Sequence, residues 1–263
     1  MSDDNTNNGD EDSVVFVFDY DHTIVCENSD TFIPHLLEAK HGLQLIDEYR
    51  GGKTGWTQLM DSVVLACQQK DHKTVEDIAF QAACVPCFPE LLLVLGMVAE
   101  KGPVHIVSDA NSLYIDSFLK HHGVSVHTVH TNPAVLDANG LLRVQPYATK
   151  PHGCKTCPTN MCKGLIVREK ILLLATSPAK KRPKIVYFGD GSNDFCPVLA
   201  VLREGDVVFA RDDPNEPRAR GLMRKIDENP LLVRAQVIRW AVGKDLLELV
   251  KQNIIMSTKR HVL

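Results

Sequence analysis

Two aspartates separated by one residue, Asp19 and Asp21, close the short apolar run at residues 14–19. Successive side chains of an extended segment point to opposite faces, so both carboxylates can face one cleft while Tyr20 points away. Such a pair can divide the work of nucleophile and acid/base. The same spacing also suits a turn that simply favours Asp. Ser108, Asp190 and Asp194 follow two further apolar runs and add a hydroxyl donor and more carboxylates. Hard oxygen donors in that number suit Mg2+.

The elements that must position these residues alternate between strand and helix. Residues 14–19 read as a strand buried on both faces, and residues 104–107, 184–188 and 206–209 read as further strands. From Ser29 to about Gly102 the periodicity is helical, with Ile33, Leu36 and Leu37 on one face and Trp56, Leu59, Met60 and Val63 on another. Pro89 suits a first helical turn, and Gly102-Pro103 ends that helix. A helix follows the polar set Ser108-Asp109-Ala110-Asn111 and runs to His122-Gly123, and another starts near Asn193. Residues 133–146 read as a hairpin that turns at Asp137-Ala138-Asn139-Gly140. The expected fold is therefore α/β, a doubly wound parallel sheet with a helical cap domain inserted after the first strand. Residues 13–29 and 103–263 would form the core, residues 30–102 the cap, and residues 1–12 a disordered acidic tail. Ligands of such sheets collect at the carboxyl ends of the strands, where all these polar clusters lie.

Asp19-Tyr20-Asp21-His22-Thr23, Ser108 after an apolar strand, Lys163 before a helix, and Gly189-Asp190-Gly191-Ser192-Asn193-Asp194 resemble, in order and spacing, the four motifs of the haloacid dehalogenase (HAD) superfamily of phosphohydrolases. Longer strings narrow the resemblance: Glu27-Asn28-Ser29-Asp30, Ser108-Asp109-Ala110-Asn111, Lys150-Pro151-His152-Gly153-Cys154 leading to Cys157-Pro158-Thr159-Asn160-Met161-Cys162-Lys163-Gly164, and Phe195-Cys196-Pro197. Together they are similar to the phosphoethanolamine/phosphocholine phosphatase subfamily, whose relatives include pyridoxal-phosphate, thiamine-monophosphate and pyrophosphate phosphatases. The resemblance covers about residues 14–245.

The resemblance implies a Rossmann-like core and a Mg2+-dependent phosphomonoester hydrolase that works through an aspartyl-phosphate. Asp19 would be the nucleophile and Asp21 the acid/base. Mg2+ would be held by the Asp19 carboxylate, the Asp21 main-chain carbonyl and Asp190, with Asp194 in the outer shell. Ser108 and Lys163 would hold the phosphoryl oxygens. An acid at position 21 sets the chain apart from the superfamily's dehalogenases and P-type pumps. Asp30 and Asp109 would face the leaving group, which suits a small amine-bearing phosphate such as phosphoethanolamine or phosphocholine. As residues alone, Asp30 also reads as a helix N-terminal acid and Asp109 as a turn residue. Pyridoxal phosphate, thiamine monophosphate and pyrophosphate are the alternative substrates. From another class, the chain could be a zinc- or redox-linked binding module on the same fold.

Composition sets the frame around this site. With 263 residues, 44% hydrophobic and 24% charged, the chain can bury a sizeable core. The net charge of −4 argues against a dedicated nucleic-acid binder. Five acids (Asp3, Asp4, Asp10, Glu11, Asp12) fall within residues 1–12, which hold no Lys or Arg, so the rest is nearly neutral. The apolar stretch at 91–99 is far shorter than the ~20 residues that span a bilayer, and the N-terminus shows no secretory signal. The expected partner is thus a small phosphorylated metabolite, with no membrane and no nucleic acid. No oligomeric state is assigned. Eight cysteines without a secretory signal point to a reducing, cytoplasmic compartment. Cys84-x-x-Cys87 and Cys154-x-x-Cys157, with Cys162 close by, could make a zinc site if the pairs met. Nothing in the spacing brings them together, so they read as ordinary reduced thiols. The scattered histidines show no metal-ligand spacing, His152 being the one worth testing for its place before Lys163. Lys180-Lys181-Arg182-Pro183-Lys184 reads as a solvated connection into the third strand.

Overall fold

Along the first strand the side chains divide between two cores. Phe16 and Phe18 of β1 (Val14–Phe18) enter one, and Val15 and Val17 enter the other. The computed structural model describes residues 13–51, 55–175 and 181–256. The tail expected over residues 1–12 and Lys180 of the basic run lie outside the described residues.

After β1 come five helices, α1 (Ser29–Leu36), α2 (Lys40–Glu48), α3 (Trp56–Gln69), α4 (Val75–Ala83) and α5 (Pro89–Ala99). Next are β2 (Val104–Asn111), α6 (Ser112–His122), β3 (Thr128–Asn132), β4 (Ala134–Leu136) and β5 (Leu142–Val144). α7 (Lys163–Ile166) continues through a π-helical stretch, Val167–Leu172, into α8 (Leu173–Ala175). The chain then runs through β6 (Lys184–Gly189), α9 (Phe195–Ala200), β7 (Val207–Arg211), α10 (Gly221–Glu228), β8 (Gln236–Trp240) and α11 (Gly243–Val250).

Six strands form one parallel sheet in the order β3-β2-β1-β6-β7-β8. From β1 the chain winds outward through β2 to β3 and then returns to β6 on the other side of β1. This reversal makes the β1/β6 boundary a topological switch point. On one face pack α5, α6 and α11, on the other α7, α9 and α10; α1, α3 and α4 add their buried residues to the first core. Phe18, Phe188 and Phe209 stack across three neighbouring strands at centroid distances of 4.0 and 4.8 Å. Each such buried ring contributes about 1.5–3 kcal/mol.

The four strands read from sequence are present with small changes. β2 continues through the polar segment to Asn111 instead of ending at Val107. Ahead of α9 a 3-10 turn, Ser192–Asp194, replaces the first helical residues. The two outer strands, β3 and β8, are additions; their segments carry polar residues because an edge strand is covered on one side only. The hairpin forms as expected, with β4 and β5 antiparallel. Arg182 of the basic run is not simply solvated. Its guanidinium grips the buried Asp206 with Nη1–Oδ1 at 3.0 Å and Nη2–Oδ2 at 2.8 Å.

Within the helical insertion α5 packs beside α11, where a Cβ on Gly243 would come within 2.6 Å of Phe88 Cβ. α3 is tied to the β4–β5 hairpin instead. Arg143 Nε and the Val144 amide both donate to Asp61 Oδ1 at 2.9 Å. Gln68 makes a reciprocal pair with the Leu142 backbone, at 3.0 and 2.8 Å.

Candidate active site

The switch point carries the carboxylates. The Asp19 amide extends the β1/β6 ladder by donating to Phe188 O at 2.9 Å, so Asp19 sits level with the end of β6. Its Oδ1 accepts the Tyr20 amide at 2.7 Å, and its Oδ2 lies 2.7 Å from Lys163 Nζ. Register pairs Phe18 with Ile106, which places Ser108, inside β2, beside the end of β1. After Tyr20 the chain turns sharply through His22, whose φ of 52° is left-handed. That conformation costs about 1–2 kcal/mol. Arg211 Nη1 holds the His22 carbonyl at 2.6 Å, and His22 Nδ1 lies 3.0 Å from Cys26 O. Asp21 is fixed by the Ser29 amide, which donates to its Oδ1 at 2.9 Å from the start of α1.

Asp194 is the hub of the opposite wall. Its Oδ1 accepts from Lys163 Nζ at 2.8 Å and from the Tyr187 hydroxyl at 2.6 Å. Its Oδ2 accepts the amides of Asp190 and Gly191 at 3.1 and 2.9 Å. Glycine at 189 follows directly, because a Cβ there would stand 2.7 Å from the Asp194 carboxylate. Asp190 keeps its side chain toward the cleft, with Oδ1 accepting from Thr23 Oγ1 at 3.2 Å.

Asp19, Asp190 and Asp194 each bring a carboxylate oxygen into one group within 4.8 Å. Four protein donors already occupy both oxygens of Asp194, whereas Asp19 and Asp190 retain free acceptor capacity. The donor set is hard, anionic and preformed, which fits a divalent cation such as Mg2+. Electrostatics points the same way. Burial, followed by the neighbouring Asp194, holds the Asp19 carboxyl well above the usual carboxylate range against the pull of Lys163. Burial and Asp194 raise Asp190 likewise. For Asp21, burial outweighs the Ser29 hydrogen bonds and pushes the carboxyl up to about 7. Burial works against the Lys163 charge, but Asp19 and Asp194 prevail and raise its pKa. Carboxylates crowded so closely await a positive charge.

A cleft of about 870 Å³ opens above this group, with Asp19, Asp21, Asp109 and Asp190 on its wall. Asp109 accepts from Asn193 Nδ2 at 3.1 Å. Ser108 and Lys163 lie fully buried beneath the wall. Asp30 is brought near Asp21 but does not line the cleft; its Oδ2 takes the Trp56 indole N–H at 2.7 Å, and burial keeps its carboxyl well above the usual range. Cys84 and Cys87 stay apart from Cys154 and Cys157. Sequence reasoning missed Tyr187, which reads as one more core residue of a strand, and Thr23, which reads as a turn residue. It also missed Arg218, Arg224 and Lys225 on the outer wall. Their one signal was position after the carboxyl end of β7.

A doubly wound parallel sheet with a helical insertion after β1 and a carboxylate-lined switch point is the HAD fold. The solved structure of a HAD family hydrolase from Salmonella enterica serovar Typhi superposes on 92% of this chain and 72% of its own, with a TM-score of 0.57 and 15% identity. Residues 14–254 match the family described as "Putative Phosphatase", and the chain belongs to that family. A thiamine phosphate phosphatase-like protein of Arabidopsis thaliana is 34% identical over 94% of this chain and 98% of its own length. The mouse pyridoxal phosphate phosphatase PHOSPHO2 is 32% identical over 89% and 95% respectively.

Proposed function

We propose that this phosphatase cleaves small phosphomonoesters through a covalent phosphoryl group on Asp19. The observation that carries the reading is the convergence of Asp19, Lys163, Asp190 and Asp194 at the switch point, with Lys163 Nζ 2.7 Å from Asp19 Oδ2 and 2.8 Å from Asp194 Oδ1. Lys163 and the Ser108 hydroxyl would take the phosphoryl oxygens. An Asp19 oxygen attacks phosphorus, and the ester P–O bond breaks as protonated Asp21 gives its proton to the leaving oxygen. Asp21, now ionised, takes a proton from the water that attacks the phosphoryl group. Inorganic phosphate leaves, with Asp19 and protonated Asp21 restored. A carboxyl titrating near 7 is suited to both steps. Mg2+ held by Asp19, the Asp21 carbonyl and Asp190 would neutralise repulsion between the anionic nucleophile and the anionic phosphate. Asp194, saturated by protein donors, would orient Lys163 and the Asp190 backbone from behind.

The helical segment of residues 30–102, of which α3 is tied to the β4–β5 hairpin, would form the cap over this cleft and shed water from it. For the leaving group, Asp109 on the wall supports an amine-bearing phosphate such as phosphoethanolamine or phosphocholine, but Asp30 stands behind the wall on Trp56. A second reading, an anionic leaving group as in pyrophosphate, is favoured by Arg218, Arg224 and Lys225 on the outer wall. Arg218 and Lys225 are partly neutralised by Glu216 and Glu228, at 2.8 and 2.9 Å. Comparing kcat/KM for phosphoethanolamine, phosphocholine, pyridoxal phosphate, thiamine monophosphate and pyrophosphate separates these substrates. Asp19→Asn should abolish turnover and leave no phosphate on the denatured protein; substantial residual activity would sink the nucleophile assignment.

No helix among the described residues is long and apolar enough to cross a membrane. The eight free cysteines support the reading of a reducing, cytoplasmic setting.

A further inference from the structure

Four cysteines outside the carboxylate group converge beside the cleft. The Sγ atoms of Cys154, Cys157, Cys162 and Cys196 all lie within 4.8 Å of one another. Cys196 to Cys154 is 3.9 Å and Cys196 to Cys162 is 3.7 Å. Sulfurs bound to a tetrahedral zinc at about 2.3 Å stand about 3.8 Å apart, a spacing that these two distances to Cys196 match. A disulfide would need about 2.0 Å. Three of the cysteines come from one loop with spacings of two and four residues, and the fourth from the first turn of α9. This division between a short knuckle and a distant partner is common in structural zinc sites.

Two further features fit a metal. Residues 145–162 contain no helix or strand, yet they deliver Lys163 to its buried place between Asp19 and Asp194. A loop of that length needs something other than regular structure to fix it. The sulfurs also have outer partners of the kind thiolate ligands take: the Leu165 amide donates to Cys162 Sγ at 3.5 Å, and Thr156 Oγ1 lies 3.1 Å from Cys154 Sγ. At position 164 only glycine fits, since a Cβ would stand 2.7 Å from Cys196 Sγ.

We infer that Cys154, Cys157, Cys162 and Cys196 form a structural zinc site that staples the Lys163 loop to α9. All four positions are filled by sulfur, so the site is closed and takes no part in the chemistry. Binding converts the four thiols to thiolates and releases their protons. Cys162 directly precedes Lys163, and Cys196 lies two residues past Asp194. The metal would therefore fix the two ends of the Lys163–Asp194 ion pair. Thr156, Pro158 and Cys196 reach the wall of the cleft, so the staple would also shape that wall.

The test uses the full chain purified without chelator and does not depend on phosphatase activity. Elemental analysis should find one zinc per chain, and X-ray absorption should find four sulfurs at about 2.3 Å. Cys196→Ser and Cys157→Ser should each lose the zinc, whereas Asp190→Asn should keep it. Should the cysteine variants fail to fold, an organomercurial titration of the native chain, read with a chromogenic zinc chelator, still decides the matter. Zinc should then appear in step with thiol modification. A native chain that carries no zinc and whose thiols react without releasing metal would overturn the inference. So would zinc that survives Cys196→Ser but disappears in Asp190→Asn, or a disulfide among the four cysteines in the freshly purified chain.

Discussion

The Tyr187 hydroxyl donates at 2.6 Å to Asp194 Oδ1, the same oxygen that takes the Lys163 ammonium at 2.8 Å. A phenol from the middle of the sheet thus shares an acceptor with the cation assigned to the phosphoryl oxygens. Asp194 can hold Lys163 in place only because its own position is fixed from the sheet side by Tyr187 and from the turn side by two amides.

Tyr187→Phe removes one donor from this buried carboxylate while keeping the ring. Hydrogen bonds to charged groups contribute about 1.5–3 kcal/mol, and the fold should lose an amount of that order in urea denaturation. Lys163 keeps its Asp19 contact, so kcat should fall without vanishing. Unchanged stability together with unchanged kcat would show that Tyr187 is only a core residue.

Gly189→Ala places a methyl group 2.7 Å from the Asp194 carboxylate, too close for either to stay. Asp194 must move, and Lys163 with it. Misplacement by about 1 Å can cost about 10²-fold, and kcat should drop by that order while circular dichroism stays native. Activity near the native level would mean that the Asp194 position is not critical.

Metal binding should depend on pH with a definite sign. Asp19, Asp21 and Asp190 titrate above the usual carboxylate range, mainly because they are buried. The folded chain therefore holds protons that the unfolded chain has released from about pH 4 upward. In this window ionisation of these groups removes stability as pH rises, and a bound cation restores it. Burial depresses His105 to about 4 and lowers His22 and His130, and these groups work the other way, gaining stability as pH rises. The quantity to measure is thus the difference in Tm with and without added Mg2+, in buffer free of chelator. It should be small near pH 5 and grow through pH 7, and Asp190→Asn should flatten it. A difference independent of pH would contradict the buried-carboxylate account.

The contacts of Asp61 with Arg143 and the Val144 amide join α3 to the β4–β5 hairpin across long sequence separation. Asp61→Ala should release this face of the helical insertion. Hydrogen exchange in α3 and β5 should quicken, and kcat/KM should fall several-fold while kcat changes less. Exchange rates equal to those of the native chain would show that the clasp is dispensable.

Much of this was legible in the sequence because the central strands are continuous apolar runs that end in carboxylates. Residues 14–19 and 184–188 could hardly be anything but buried strands, and their polar ends marked the switch point. The edge strands were not legible, since Thr128–Asn132 and Gln236–Trp240 alternate with polar residues and lack that signal. Asp30 shows the limit for side chains: an acid at a helix start reads the same whether it faces a ligand or takes an indole N–H from Trp56. The convergence of Cys154, Cys157, Cys162 and Cys196 was not legible for a related reason. The x-x spacing drew attention to Cys84 and Cys87, whereas the fourth member of the cluster, Cys196, stands alone in the chain and is joined to the others only by folding.

The pairing of β1 with β6 also bears on how the molecule is made. Thr23 and Asp190 are hydrogen-bonded although 167 residues separate them in sequence. Asp19 leaves the ribosome before the other site acids, but β6, its neighbour on one side, follows only after the helical insertion and β2 to β5 have been synthesised. Contacts of such long range are slow to form because the intervening chain must first be organised. Until then one edge of β1 stays open to foreign strands, and the residue synthesised first among the acids is among the last to become competent. Appearance of phosphatase activity during translation or refolding would therefore report completion of the whole sheet, not of any one half.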